Sequence, residues 1–147
     1  MVASAGRSYY LLSVSRDHVL AARSLGIVQA CHGKQGPVQR MKPGDGIVFY
    51  SARQQIRGKD LCQRFTGIAT IQDGDAYQDS SNESFRPWRR HAKFKKEAKE
   101  VDVRSVLPKL ACLNNGAVGW GRALMRGVVK IGEDDFRVVR EALLRTK

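Results

Sequence analysis

Short hydrophobic runs alternate with polar, glycine-containing stretches along this chain of 147 residues. Apolar runs bounded by turn residues are typical of buried strands. The strands predicted in this way cover residues 8–14, 27–31, 47–50, 61–71, 88–94, 101–103 and 128–131. The pattern therefore predicts a domain built mainly on short strands.

Two segments instead carry the signals of helix ends. Ser15 stands at an N-cap position with Asp17 in the first turn, and Gly26 follows as a C-cap. A second helix is predicted with the acidic residues 133–135 in its first turn, where acids are favoured by the helix dipole. Its apolar stripe comprises Phe136, Val139, Leu143 and Leu144. A shorter helical turn is predicted at residues 105–110.

Polar stretches separate these elements. Residues 42–46 (KPGDG) predict a tight turn, because proline presets one turn angle and glycine accepts positive φ. The predicted loops are 32–37, which is glycine-rich and basic, 52–60, 72–84, which is acidic, and 113–121. We expect one α+β domain over residues 1–147, with a core from about 8 to 145. A small, strongly curved sheet or barrel fits the strands, and an α/β sandwich is the alternative.

The charge of the chain adds a function class to this fold. Twenty-six Lys and Arg residues against fourteen Asp and Glu residues give a net charge of +12, which is typical of nucleic-acid binders. Residues 86–99 hold seven basic residues and one acidic residue, a net +6, and aromatic residues are interleaved with them. Aromatic rings can stack on unpaired bases while cations neutralise phosphates. Nucleic acid is therefore the predicted partner.

Other function classes find less support. No apolar run approaches the roughly 20 residues needed to cross a bilayer, and the N-terminus lacks a signal-peptide pattern, so we expect a cytoplasmic protein without membrane partners. The three cysteines have no metal-ligand spacing. Cys31 and His32 are neighbours in sequence at the end of a predicted strand, and adjacent strand residues point to opposite faces, so a contact between nucleophile and base is not expected. We expect no catalytic residue, no metal and no cofactor.

Several segments together resemble the EVE domain family. They are residues 9–19 (YYLLSVSRDHV), 28–34 (VQACHGK), 37–45 (PVQRMKPGD), 85–90 (FRPWRR) with Phe94, Trp120–Gly121, Gly127 and 134–136 (DDF). The resemblance implies a PUA-like fold, a mixed, mostly antiparallel β-barrel with peripheral helices. It relates the chain to ASCH domains and to the YTH readers of methylated adenine in RNA.

The same resemblance implies a pocket for one base. By rough alignment with YTH domains, the end of the first strand and the second strand line it, and nearby aromatic residues complete it. The expected pocket residues are Ser13, Val14, Ser15, Gln29, Cys31, His32, Tyr50, Ser51, Phe85 and Trp88. The expected phosphate-binding residues are Lys34, Arg86, Arg89, Arg90 and Lys93.

These observations lead to one hypothesis and two alternatives. The chain is predicted to be a non-enzymatic module that binds DNA or RNA and accommodates a flipped or unpaired base, such as methylated cytosine or adenine. The alternatives are a PUA-type RNA-binding protein indifferent to modification, and a protein that binds a nucleoside or another small molecule. EVE domains often accompany other domains, which implies an effector protein acting in trans.

Overall fold

The fold is α+β, and the computed structural model describes residues 6–55, 57–111 and 127–145. The strands are β1 Tyr9–Ser13, β2 Ile27–Val28, β3 Gly46–Arg53, β4 Leu61–Ile71, β5 Tyr77–Gln78, β6 Trp88–Phe94, β7 Val101–Asp102 and β8 Val128–Ile131. The helices are α1 Arg16–Leu25, α2 Gln35–Arg40, α3 Val103–Val106 and α4 Glu133–Leu143, with 3-10 turns at Cys31–Gly33 and Leu107–Lys109.

The strands form one mixed sheet in the order β2-β6-β4-β3-β1-β8, with β5 beside β6 and β7 beside β4. Strands β1 and β3 are parallel, with Ser13 opposite Tyr50, and the other pairs are antiparallel. The sheet curls into a half-barrel with the helices around it. The predicted mixed, mostly antiparallel barrel with peripheral helices is therefore confirmed, rather than the α/β sandwich.

The continuous apolar run of β1 reflects burial on both faces of the sheet. Tyr9 and Leu11 belong to the cluster beneath α3 and α4, whereas Tyr10 and Leu12 belong to the cluster beneath α1 and α2. Successive side chains on a strand point to opposite faces, so a strand covered on both faces needs apolar residues at every position. The predicted pocket residues Ser13, Val14 and Ser15 lie at the end of this buried strand.

Helix α4 packs through the predicted apolar stripe. Val139 and Leu143 are fully buried, and the ring of Phe136 lies 4.6 Å from the ring of Tyr9. Its first turn holds three acidic residues, which suits the positive end of the helix dipole. None of the described helices combines the length and the apolar character needed to span a membrane.

Three predicted segments differ in the structure. The second strand ends at Val28, and Cys31 and His32 lie in a 3-10 turn, where His32 has a φ of 61°. Residues 32–37, predicted as a loop, lead into α2, because Val38 and Met41 are completely buried against the core. The acidic segment 72–84 contributes β5. The predicted loop 113–121, with Trp120, lies outside the described residues.

Candidate nucleic-acid interface

A cleft of about 230 Å³ opens where β1 ends and α1 begins. We call it the serine cleft, and its lining residues are Ser13, Val14, Ser15, Ala52, Arg53, Gln55, Arg57 and Gly58. The structure thus brings three of the predicted pocket residues to one cavity. Its volume is about that of eight water molecules at ~30 Å³ each, a space for one small ring system.

Backbone hydrogen bonds fix the wall of the serine cleft on both sides. The Ser13 amide donates to the carbonyl of Gly127 at 2.9 Å, and the Val14 amide donates to the carbonyl of Tyr50 at 2.9 Å. The Asp17 amide donates to the carbonyl of Gln54 at 3.0 Å, which ties α1 to the segment after β3. The cleft is therefore formed by the fold itself before any ligand arrives.

Ser51 and Tyr50 support this wall from beneath rather than lining it. The Ser51 hydroxyl is buried and donates to the Val14 carbonyl at 2.6 Å, and its oxygen lies 2.8 Å from the Thr66 hydroxyl oxygen. Tyr50 is only 3% exposed, and burial raises its pKa to about 12. Their predicted contact with a base would require the wall to open.

Two arginines that are not among the predicted site residues, Arg53 and Arg57, border the serine cleft. Arg53 ends β3 and donates through Nη1 to the carbonyls of Gly58 and Lys59, at 3.4 and 3.2 Å. Arg57 is exposed and has a φ of 62°. No carboxylate is among the described residues lining the cleft. The only feature of the sequence that could have indicated these cations as binding residues is the presence of two arginines and one lysine within the predicted loop 52–60.

A second group of predicted residues meets where β2 runs beside β6. We call it the aromatic edge, formed by Gln29, Phe85, Trp88 and Arg89. The Arg89 Nε donates to the Gln29 Oε1 at 3.0 Å, and Phe85 is 47% exposed. The turn before α2 packs here so closely that a Cβ added at Gly33 would lie 2.5 Å from the Pro87 Cβ, with the Phe85 ring at 3.6 Å. His32 and Lys34 are exposed on this turn, and Cys31 contributes its backbone to it.

The predicted phosphate-binding residues separate into two groups. Lys34, Arg86 and Lys93 are exposed, and Arg89 is half-buried beside Asp79, with Nη1 3.6 Å from Oδ2. Arg90 is an exception to the expectation that all five cations are exposed.

Arg90 is only 5% exposed and points into the protein. Its guanidinium donates to the carbonyl of Met41 at 2.6 Å and to the carbonyl of Gly74. The physical reason is strand alternation, since Ala92 and Phe94 on the same face of β6 are also buried. In this structure Arg90 holds two loops together and does not face solvent.

The acidic segment after β4 lies against the aromatic edge. Strand β5 pairs with β6, with Tyr77 opposite Arg89 and Gln78 opposite Trp88. The Asp79 amide donates to the Pro87 carbonyl at 2.8 Å. The Ser81 hydroxyl and then the Arg89 guanidinium lower the pKa of the Asp79 carboxyl. A carboxylate therefore occupies one side of the Arg89 cation.

The serine cleft and the aromatic edge share one hydrophobic core. Val14 from the cleft and Trp88 from the edge both pack against the buried cluster beneath α1 and α2. Among the described residues no group of three or more His, Cys, Asp or Glu side chains could hold a metal ion. The arrangement offers a small cavity, exposed cations and an exposed ring, which are the components of a base-binding surface.

Solved structures share this PUA-like α+β fold. The YTH domain of Zygosaccharomyces rouxii MRB1, in complex with N6-methyladenosine RNA, matches with a TM-score of 0.64 and 13% identity, covering 97% of this chain and 88% of that chain. Human THYN1, in complex with 5-methylcytosine containing DNA, matches with a TM-score of 0.51 and 15% identity, covering 95% and 99%. At these identities the likeness establishes the fold class alone.

Closer relatives identify the family. The EVE domain profile matches residues 8–142. A UPF0310 protein of Renibacterium salmoninarum is 37% identical over 139 residues, covering 95% of this chain and 97% of that protein. A UPF0310 protein of Bacillus licheniformis is 34% identical over 131 residues, covering 89% and 88%. The chain belongs to the EVE domain family, which confirms the resemblance found in its sequence.

Proposed function

We propose that this EVE domain protein is a non-enzymatic module that binds DNA or RNA and holds one flipped or unpaired modified base, methylated cytosine or adenine, in the serine cleft. The observation that carries the proposal is the cleft itself. It is small, its wall is fixed by backbone hydrogen bonds, and Arg53 and Arg57 border it.

The charges around the cleft favour a nucleic acid over a neutral ligand. Arg53 and Arg57 can neutralise the phosphates that flank a base inserted into the cleft. Lys34, Arg86 and Lys93 add exposed cations, within a chain of net charge +12. Such contacts position a nucleic acid without reading its sequence, so they predict affinity that falls steeply with salt.

Recognition of the base requires groups that the cleft and the aromatic edge supply. Ser13 offers a hydroxyl group toward a base edge, and Val14 offers an apolar contact for a methyl group. The Ser15 hydroxyl donates its proton to the Asp17 Oδ1 at 2.6 Å, so it offers its oxygen as an acceptor. No aromatic ring is among the described residues that line the cleft, so the exposed ring of Phe85 and the half-buried Trp88 at the aromatic edge offer stacking surfaces to other bases of the bound strand. A stacked base contributes about 1–3 kcal/mol, and one methyl group discriminates by about 1–3 kcal/mol.

The fold neighbours support the same class of ligand. The YTH domain neighbour was solved with RNA containing N6-methyladenosine, and the human THYN1 neighbour with DNA containing 5-methylcytosine. Both ligands are nucleic acids with a methylated base. We extend that class to this chain and leave the choice between cytosine and adenine, and between DNA and RNA, to experiment.

The test is a fluorescence-anisotropy panel at two salt concentrations. Matched DNA and RNA oligomers carry plain cytosine, 5-methylcytosine, 5-hydroxymethylcytosine or N6-methyladenine. We expect at least about a fivefold preference for one modification, which corresponds to about 1 kcal/mol. Equal, salt-sensitive binding to all oligomers would overturn the modified-base proposal in favour of a general RNA- or DNA-binding protein. Salt-insensitive binding of free nucleosides alone would favour a small-molecule protein.

A cleft-filling variant with a matched control locates the base. Ser15→Phe places a ring in the cleft, and Ser24→Phe places the same ring on an exposed position of α1. We expect Ser15→Phe to lose the preference for the modified base while it retains salt-sensitive binding, and Ser24→Phe to keep both. Thermal unfolding of both variants checks that α1 still forms. A preference that survives in Ser15→Phe would exclude the serine cleft as the base site.

A further inference from the structure

A second cavity, larger than the serine cleft, lies between α4 and the α3 region. It has a volume of about 400 Å³, and we call it the α3–α4 pocket. Its floor is apolar and consists of Val101, Val106, Val138 and Ala142. Val106 is 2% exposed, and the other three are half-buried. This volume falls in the range of about 300–1,000 Å³ that small-molecule sites occupy.

Charged side chains surround this apolar floor. The described lining residues include three cations, Lys99, Lys109 and Arg145, and two carboxylates, Glu100 and Glu141. Within the described part of the chain, none of these three cations has a carboxylate oxygen within ion-pair distance.

Of the two carboxylates, Glu100 is already neutralised by other arginines. Its Oε2 lies 2.7 Å from the Arg16 Nε, and its Oε1 lies 3.6 Å from the Arg64 Nη1. Among the described lining residues, three cations therefore face the pocket against Glu141 alone, and the pocket presents a positive field above an apolar floor. Such a field attracts anions more strongly near low-dielectric walls than in open water.

We propose that the α3–α4 pocket binds a small organic acid, a ligand with an apolar body and one carboxylate. The body packs on Val101, Val106, Val138 and Ala142, and the carboxylate pairs with the cations at the rim. This site is separate from the serine cleft, because the two share no lining residue. The proposal is independent of nucleic-acid binding and survives if that function fails.

Three probes with the same apolar body and different charge test the proposal. They are 4-phenylbutyrate, 4-phenylbutanamide and 4-phenylbutylamine, titrated into the full ¹⁵N-labelled chain and followed by NMR. We expect 4-phenylbutyrate to shift the amides of the apolar floor saturably and to bind at least about fivefold more tightly than the amide, with the amine weakest. Absence of saturable shifts at the floor, or equal binding of acid and amine, would overturn the proposal.

Two variants and a control separate the pocket from the general charge of the protein. Lys109→Glu reverses one rim charge, and Ala142→Phe fills the floor. Arg23→Glu changes the net charge by the same amount as Lys109→Glu at an exposed position on α1.

We expect Lys109→Glu to weaken 4-phenylbutyrate binding by about fivefold or more, and Arg23→Glu to leave it within twofold. Ala142→Phe should abolish binding at the pocket while nucleic-acid binding stays unchanged. The Lys109 variant keeps the test decisive if Ala142→Phe fails to fold. Equal weakening by Arg23→Glu would show that net charge, and not the pocket, attracts the acid.

Discussion

The serine cleft makes a quantitative prediction about salt. In the double variant Arg53→Gln, Arg57→Gln, both cations that border the cleft are replaced by neutral polar side chains that can still donate hydrogen bonds. If each arginine neutralises one phosphate, the variant releases two fewer counterions when it binds. Its affinity should then depend less on salt than that of the unaltered protein.

The size of this change follows from the number of cations at the cleft. For single strands, the slope of log K against log salt changes by ~0.7 for each phosphate contact, so two contacts correspond to ~1.4. Between about 50 and about 150 mM salt, the unaltered protein should therefore lose roughly fivefold more affinity than the double variant. Arg57→Gln alone should give about half of the slope change, because Arg57 is one of the two cations.

The assay is fluorescence anisotropy with one single-stranded oligomer over a series of salt concentrations. The matched control is the double variant Arg23→Gln, Arg140→Gln, which removes the same charge from exposed positions on α1 and α4. Thermal unfolding verifies the fold, since Arg53 also bonds the carbonyls of Gly58 and Lys59. If the cleft variant retains the full slope, or if the control lowers it equally, the cleft is not where the phosphates bind.

Further predictions concern stability. Arg90→Met removes the buried hydrogen bonds to two loop carbonyls and should lower the free energy of unfolding in urea by about 2–4 kcal/mol; an unchanged midpoint would contradict the internal role of Arg90. Gly46→Ala would place a Cβ 2.6 Å from the Phe136 ring and 2.8 Å from the Tyr9 ring, and should cost about 1–3 kcal/mol, measured in the same way. Burial raises the pKa of Tyr50 to about 12, above its ordinary value of 10.0. The folded state therefore keeps this proton longer than the unfolded state, and the stability gained is complete below about pH 10 and lost as the pH rises toward about 12. Urea unfolding should show a loss of about 1 kcal/mol between about pH 9 and about pH 11 that Tyr50→Phe does not share.

The elements with dense apolar patterns were predictable from the sequence. The run at residues 8–14 predicted β1, and the stripe of Val139 and Leu143 predicted the buried face of α4. Helix α2 was not predictable in the same way. It is short, and only two of the residues at its end, Val38 and Met41, are buried, so tertiary packing stabilises it more than local propensity does.

The inward orientation of the Arg90 side chain was only partly predictable from the sequence. Arg89 and Arg90 are identical residues at adjacent positions, yet Arg90 is buried and Arg89 lies half-buried beside Asp79. Because side chains alternate between the two faces of a strand, the apolar residues Ala92 and Phe94 indicated that residue 90 also faces the core. What made an inward arginine tolerable is the pair of carbonyls from Met41 and Gly74, which no local pattern reveals.

The sequence by itself determined strand β1, helix α4, the net charge of +12 and the family, because each depends on residues that are close along the chain or on the chain as a whole. Only the tertiary structure decided the serine cleft. It joins Ser13 and Ser15 at the end of β1 to Arg53 and Arg57 after β3. These residues are about forty positions apart and meet because β1 and β3 pair in parallel, with Ser13 opposite Tyr50. Contacts of this kind arise from strand pairing, so the spacing of the residues along the chain could not predict them.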